Sequence, residues 1–158
     1  MKLRDMLYQE DDFFAEGNYW IEQSLTSTNI TQKQSCLQSA LDSYRKSKHD
    51  FLAKEIEDQL RLIKYQIKLE EKFHRSYLDL SVQKTLQRLL IEKEYKLSED
   101  FKKDFKIPDR RFWWLKMIVL AEANEWIELE KFSKLKKSPI GYEVKRFLKL
   151  KFLIIFLF

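Results

Sequence analysis

Glycine is almost missing from this chain: Gly17 and Gly141 are the two glycines among its 158 residues. Average usage of about 7% would give on the order of eleven. Glycine supplies the positive-φ residues of hairpin turns and the loops that cradle phosphates. Its scarcity argues against a β-sandwich, a β-barrel, a dinucleotide-binding domain and a P-loop domain, and aromatic residues at 15% argue against disorder. We therefore predict an all-α fold.

Helical periodicity runs from about residue 11 to about residue 137. The third predicted helix, over about 49–74, is the clearest, because its apolar residues recur every three or four positions: Leu52, Ile56, Leu60, Ile63 and Ile67. Start signals, mostly side chains that cap helix N-termini, divide the rest of the chain into further helices; these signals are Asn29, Ser81, Ser98, Asp109, Asn124 and Ser138.

Short links between seven or eight helices indicate how the helices are arranged. We predict an α-solenoid segment of stacked antiparallel helix pairs over residues 1–142, with a compact bundle as the alternative. The helix at 49–74 also leaves open a coiled-coil oligomer. Residues 112–121 carry Lys116 as their one polar residue, so we expect that helix to be covered on nearly every side, with Trp114 in the core.

The residue types that carry catalysis are sparse. Cys36 is the single cysteine, and His49 and His74 are the two histidines, so no zinc set of usual spacing can be assembled. The carboxylates lie on charged helix faces, where exposure to solvent accounts for them without a catalytic role. We predict a protein that is not an enzyme and has no catalytic, cofactor-binding or metal-binding residues.

The excess of positive charge is confined to one end of the chain. Residues 134–151 hold seven basic residues against one acid, a net charge of +6, whereas residues 1–133 have a net charge of −1. The sequence therefore gives little support for nucleic-acid binding by a broad basic face. The basic residues alternate with apolar ones, which leaves open a module that binds a membrane surface. The longest apolar run, Phe152–Phe158, has seven residues, against about 20 for a membrane span.

The stretch 105–142 resembles a known family. Three blocks occur there in the family's order and spacing: IPDRRFWWLK at 107–116, WIELEKFSK at 126–134 and KKSPIGY at 136–142. Upstream stretches at 11–19, 40–48 and 51–62 also look like family sequence. These blocks closely resemble the C-terminal domain of vacuolar protein sorting-associated protein 16. The paralogous spermatogenesis-defective protein 39 homologues, which are trafficking adaptors, share the later blocks and remain the alternative.

The resemblance implies a function for the chain. The family's domain is an α-solenoid in a core subunit of the HOPS and CORVET complexes, which tether endosomes, lysosomes or vacuoles before membrane fusion. The implied partner is the SM-type subunit, vacuolar protein sorting-associated protein 33, which templates SNARE assembly. We accordingly expect a cytoplasmic protein that associates peripherally with late endosomal, lysosomal or vacuolar membranes through its complex.

Partner binding is expected to depend on exposed charged residues. Arg110 and Arg111 follow the proline at 108, at the start of a helix whose later positions are apolar. Arginine is frequent among the residues that dominate protein interfaces. We predict Arg111 as a partner contact, with Arg110 beside it, and Lys54 and Glu55 on the long helix as a second candidate surface.

Residues 143–158 depart from the family's sequence, which continues there into further helical solenoid. We hypothesise that this segment reflects intron read-through or a faulty gene boundary. Sequencing of the mature transcript across the codon for Gly141 tests this hypothesis. We expect a spliced message that joins the codon to ordinary solenoid sequence, and a reproducible message that encodes residues 143–158 contradicts the hypothesis.

Overall fold

The structure is a computed structural model that describes residues 12–135, with side chains described as far as Phe132. All regular elements in this range are helices, which confirms the predicted all-α fold. The helices are α1 (Phe13–Thr26), α2 (Ile30–Lys46), α3 (Asp50–Phe73), α4 (Val82–Ile91), α5 (Tyr95–Asp104), α6 (Asp109–Glu122) and α7 (Trp126–Leu135). The start signal predicted at Ser138 lies outside the described residues.

The chain forms two compact units, one up to Asp79 and one from Leu80 onward. In the first unit, α1 packs against α2, and α2 packs against α3. In the second unit, α4 packs against α5 and α6, and α6 packs against α7. Within each unit the fold is thus built from packed helix pairs, the elements of the predicted α-solenoid.

The core of the first unit lies along the apolar stripes of α2 and α3. The predicted positions Ile56, Leu60 and Ile63 are buried, and Leu52 and Ile67 pack against them. Their partners on α2 also recur at helical spacing: Leu37, Ala40, Leu41 and Tyr44. The face that a coiled coil would use is therefore already covered within the chain. Cys36 is also buried, as expected of a small apolar residue.

Side-chain caps confirm two of the predicted helix starts. The Asn29 side chain accepts a hydrogen bond from the Thr31 backbone N–H at 2.9 Å. The Ser81 hydroxyl accepts one from the Lys84 backbone N–H at 3.3 Å. Each cap satisfies a donor that the first turn of a helix leaves without an intrahelical partner.

The predicted cap at Ser98 is wrong, because α5 begins at Tyr95. Ser98 is fully buried inside the helix, and its hydroxyl donates to the Tyr95 carbonyl at 2.7 Å. This local bond satisfies the hydroxyl without a helix terminus. The helix starts earlier because Lys93, at φ 62°, turns the chain immediately after α4.

Four of the links between helices share one hydrogen-bonding pattern. In each, a residue with positive φ follows the helix: Lys48, Lys93, Lys106 or Asn124. Its N–H donates to the carbonyl three residues back, and the next N–H donates to the carbonyl five residues back, as in Lys48 to Arg45 and His49 to Tyr44. This is the Schellman motif, which usually places glycine at that position. The scarcity of glycine therefore did not exclude left-handed turns, which lysine and asparagine provide here.

The exposure of Trp114 contradicts the expectation that the helix at 112–121 is covered on nearly every side. Phe112, Leu115, Met117, Leu120 and Ala121 are buried, but 44% of Trp114 is exposed. Trp114 is thus not a core residue. Its replacement by alanine is therefore not expected to unfold this region, because much of the indole is already in water.

Gly17 allows α1 to approach α2 closely. A Cβ atom at this position would lie 2.6 Å from Cε1 of Tyr44, well inside van der Waals contact. The Tyr44 ring is held in place, since its hydroxyl donates to Oδ1 of Asn18 at 2.7 Å. Next to Gly17, the buried Glu16 accepts a hydrogen bond from the Ser43 hydroxyl at 3.0 Å. This glycine is therefore a packing requirement of the helix pair.

We predict that Gly17→Ala destabilises the protein by about 1–2 kcal/mol, because overpacking against Tyr44 outweighs the gain of about 1 kcal/mol in helix propensity. Urea denaturation followed by circular dichroism measures the change. In a Tyr44→Val background the ring is absent, so the same Gly17→Ala change should stabilise the protein. Stabilisation in both backgrounds would contradict the packing argument.

We also predict that Lys48→Gly stabilises the protein by about 1 kcal/mol, because glycine adopts the left-handed conformation without the cost that a Cβ atom imposes. Lys64→Gly is the matched control, since it removes the same side chain from an exposed position inside α3. That control should lose about 1 kcal/mol in the same denaturation measurement. Equal losses for both variants would show that the conformation of Lys48 carries no strain.

Candidate protein-binding groove

An open groove of about 750 Å³ lies in the second unit. Its walls are the first turns of α4, the link between α5 and α6, and the first half of α6. Most of its lining is apolar, and the complete set is Ser81, Val82, Gln83, Leu86, Phe105, Lys106, Ile107, Pro108, Arg111, Trp114 and Leu115. Concave surfaces of this kind, with a few polar groups among apolar ones, are typical of binding sites.

The link between α5 and α6 is fixed by backbone hydrogen bonds. Lys106 turns the chain at φ 50°, and the N–H of Ile107 donates to the Lys102 carbonyl at 2.9 Å. Pro108 then precedes α6 with φ −58°, and its carbonyl accepts a hydrogen bond from the N–H of Phe112 at 3.1 Å. An ion pair between Lys102 and Asp109 joins the two helices across the link. These contacts determine where α6 begins and so where its first side chains lie.

Arg111 bridges two walls of the groove. Its Nη2 donates to Oε1 of Gln83 on α4 at 2.6 Å. Both side chains belong to exposed residues, so the contact is accessible from the groove. Trp114 lies one turn further along α6 and contributes its half-exposed indole to the same wall. The groove therefore combines an arginine with a tryptophan, two residue types that are enriched in the energetic centres of protein interfaces.

Aromatic contacts tie α6 to its neighbours in the second unit. Nζ of Lys116 lies 4.5 Å from the ring centre of Tyr95 on α5 and 4.9 Å from that of Phe132 on α7. Burial lowers the pKa of Lys116, and the negative charges of Glu99 and Glu128 oppose that shift. Such cation–π contacts are worth about 0.5–2 kcal/mol. They help to hold the helix that carries Arg111 and Trp114.

The structure places the predicted contact residues in two regions. Arg111 lines the groove, and Arg110 beside it is exposed. Lys54 and Glu55 are exposed on α3, in the first unit. Nζ of Lys54 lies 3.7 Å from carboxylate oxygens of both Glu57 and Asp58, within a row of charged residues. The assignment of all four residues to partner binding stays a prediction.

Three other groove residues were not predicted from the sequence as part of a binding surface. Gln83 could not be predicted because its partner Arg111 is 28 positions away in the chain. Lys106 looked like one charge among many on a helix end. Trp114 looked like a core residue because it lies in an apolar run. The proline at 108, which singled out Arg111, also indicates that Trp114 is partly exposed, because a helix starting there must expose part of its first turns.

Between residues 12 and 132, no three His, Cys, Asp or Glu side chains are grouped in a way that could hold a metal ion. In the same part of the chain, none of the helices has the length and apolar character needed to cross a membrane.

The fold and the groove define an all-α protein of packed helix pairs with an open, largely apolar groove, and comparison with known proteins identifies its family. The family described as "Vps16, C-terminal region" matches residues 1–149. The vacuolar protein sorting-associated protein 16 homolog of Drosophila melanogaster is 38% identical over 134 residues, which cover 85% of this chain and 16% of that protein. The homolog of Dictyostelium discoideum is 34% identical over 147 residues, which cover 89% of this chain and 18% of that protein.

The chain belongs to the family of the C-terminal region of vacuolar protein sorting-associated protein 16. This confirms the resemblance seen in the blocks between 105 and 142. The chain spans less than a fifth of the length of these two relatives. The family match runs to residue 149, and the boundary at 142 lies outside the described residues, so the division into 1–142 and 143–158 stays a prediction.

Proposed function

We propose that this chain is a non-enzymatic, partner-binding segment of a tethering-complex subunit that acts in traffic between endosomes and lysosomes or vacuoles. Membership of the family supports the general role. The groove beside Pro108 supports the binding mechanism, because it presents Arg111 and Trp114 on one surface. The single observation that carries the proposal is that Arg111 and Trp114 share one groove in a chain that belongs to a family of vacuolar protein sorting proteins.

The proposed partner is the SM-type subunit, vacuolar protein sorting-associated protein 33, within the HOPS and CORVET complexes. Through that subunit the chain would act indirectly on SNARE assembly. Its association with late endosomal, lysosomal or vacuolar membranes would be peripheral and would depend on the assembled complex. In this proposal residues 1–142 form the helical solenoid, and residues 143–158 are a basic and apolar tail outside it.

The groove suits protein binding for a physical reason. Partner side chains that enter it would remove water from the partly exposed Val82 and Ile107 and from the exposed part of Trp114, and each Å² of apolar surface buried contributes about 25 cal/mol. Arg111 would add a charge-assisted hydrogen bond at the edge of this apolar surface. Binding energy concentrated in such a cluster is typical of interface hot spots.

We predict that Arg111→Glu abolishes binding of the SM-type subunit, with a loss of at least 2 kcal/mol, because the change removes a donor and introduces a repelling charge. The dissociation constant is measured by isothermal titration calorimetry with the full chain. Helical content by circular dichroism should be unchanged, because Arg111 is exposed.

Lys96→Glu is the matched control, since it makes the same kind of charge reversal at an exposed position of α5 outside the groove lining. It should change the dissociation constant by less than about threefold. Retained binding by Arg111→Glu would reject the groove as the site. If Lys54→Glu with Glu55→Lys then abolished binding, the exposed surface of α3 would be the contact instead.

A further inference from the structure

The groove has an unbalanced charge. Its lining contains two cationic side chains, Lys106 and Arg111, and no carboxylate. The remaining lining residues are apolar apart from Ser81 and Gln83. An apolar surface with positive charge at its edge is complementary to an apolar surface that carries negative charge.

Gln83 fixes Arg111 without neutralising it. The Gln83 amide oxygen occupies one N–H donor of the guanidinium at 2.6 Å, whereas an arginine guanidinium carries five such donors in a planar fork. No carboxylate in the described part of the chain forms an ion pair with Arg111. A glutamate at position 83 would instead cancel the charge, so the neutral amide keeps the cation competent for an external anion.

We propose that the groove recognises a carboxylate on an apolar segment of the protein partner, with Arg111 as the anion contact and Gln83 as the residue that positions it. The inference deepens the proposed function and rests on it for the identity of the partner. Arginine and carboxylate match in planar, bidentate geometry. The partner segment is therefore one that places an aspartate or glutamate next to apolar side chains, which pack against Val82 and the exposed part of Trp114.

The chemistry of the groove can be tested without the partner. The probe is 4-phenylbutyrate, which joins a carboxylate to an apolar ring, and its control is the neutral 4-phenylbutyramide. Each is titrated into the full chain while indole N–H signals are followed by ¹H–¹⁵N NMR, with the Trp114 signal assigned from Trp114→Phe. A ligand of this size should bind with a dissociation constant of about 1–10 mM.

We expect the carboxylate to shift the Trp114 signal in a saturable way and the amide to bind at least about fivefold more weakly. Arg111→Gln should remove the difference between the two probes. Equal binding of acid and amide, or no saturable shift of Trp114 by the acid, would overturn the proposal. This result does not depend on whether the SM-type subunit binds.

The role of Gln83 is tested with the SM-type subunit and the full chain. Gln83→Ala should weaken binding about three- to tenfold, because the guanidinium loses its fixed position. Gln83→Glu should weaken binding at least about tenfold, because it pairs with Arg111 internally. Gln87→Glu adds the same charge one turn further along α4, outside the lining, and should cost less than about threefold.

Salt dependence separates positioning from a merely structural effect. Binding by the unaltered chain should weaken as the salt concentration rises, and Gln83→Glu should flatten that dependence, because Arg111 no longer meets the partner's charge. Gln83→Ala should keep the dependence of the unaltered chain. If Arg111→Glu abolishes binding but the two Gln83 variants bind like the unaltered chain, the positioning role is refuted while the proposed function stands.

If the unaltered chain fails to bind the SM-type subunit, the proposed function fails, and the probe titration alone decides on carboxylate recognition. The two failures therefore give different results.

Discussion

The links between helices are the constraint on which the rest of the structure depends. At Lys48, Lys93, Lys106 and Asn124 the chain turns through a left-handed residue, and two backbone hydrogen bonds close each turn. For a side-chain-bearing residue this conformation costs about 1–2 kcal/mol. The cost is offset because each turn lets one helix fold back and bury its apolar stripe against another.

The turn at Lys106 shows how this constraint produces the candidate site. It is followed within two residues by Pro108, which cannot donate a backbone hydrogen bond and has a fixed φ, so α6 begins at Asp109. The start of α6 determines that Phe112 and Leu115 enter the core while Arg111 and Trp114 reach the groove. The candidate site thus arises where two helices meet at a short link.

Close packing in the first unit depends on a different feature, the small size of Gly17. Gly17 brings α1 against the Tyr44 ring, and the buried pair Glu16 and Ser43 satisfies the polar groups that this approach encloses. Packed helix pairs of this kind give a rigid surface, and rigidity lowers the entropy lost on binding. This property suits a protein whose proposed function is to hold a partner in place.

The sequence by itself determined the all-α fold, most helix starts, the core positions of α2 and α3, and the family. These features follow from local periodicity, caps and motifs, which can be recognised from the order of the residues alone. The sequence also singled out Arg111, because a proline precedes it. Only the tertiary structure decided that Ser98 lies inside α5, that Trp114 is half exposed, and that Gln83 holds Arg111. These depend on contacts between residues far apart in the chain, and the direction in which each helix leaves its link is set by packing against other helices.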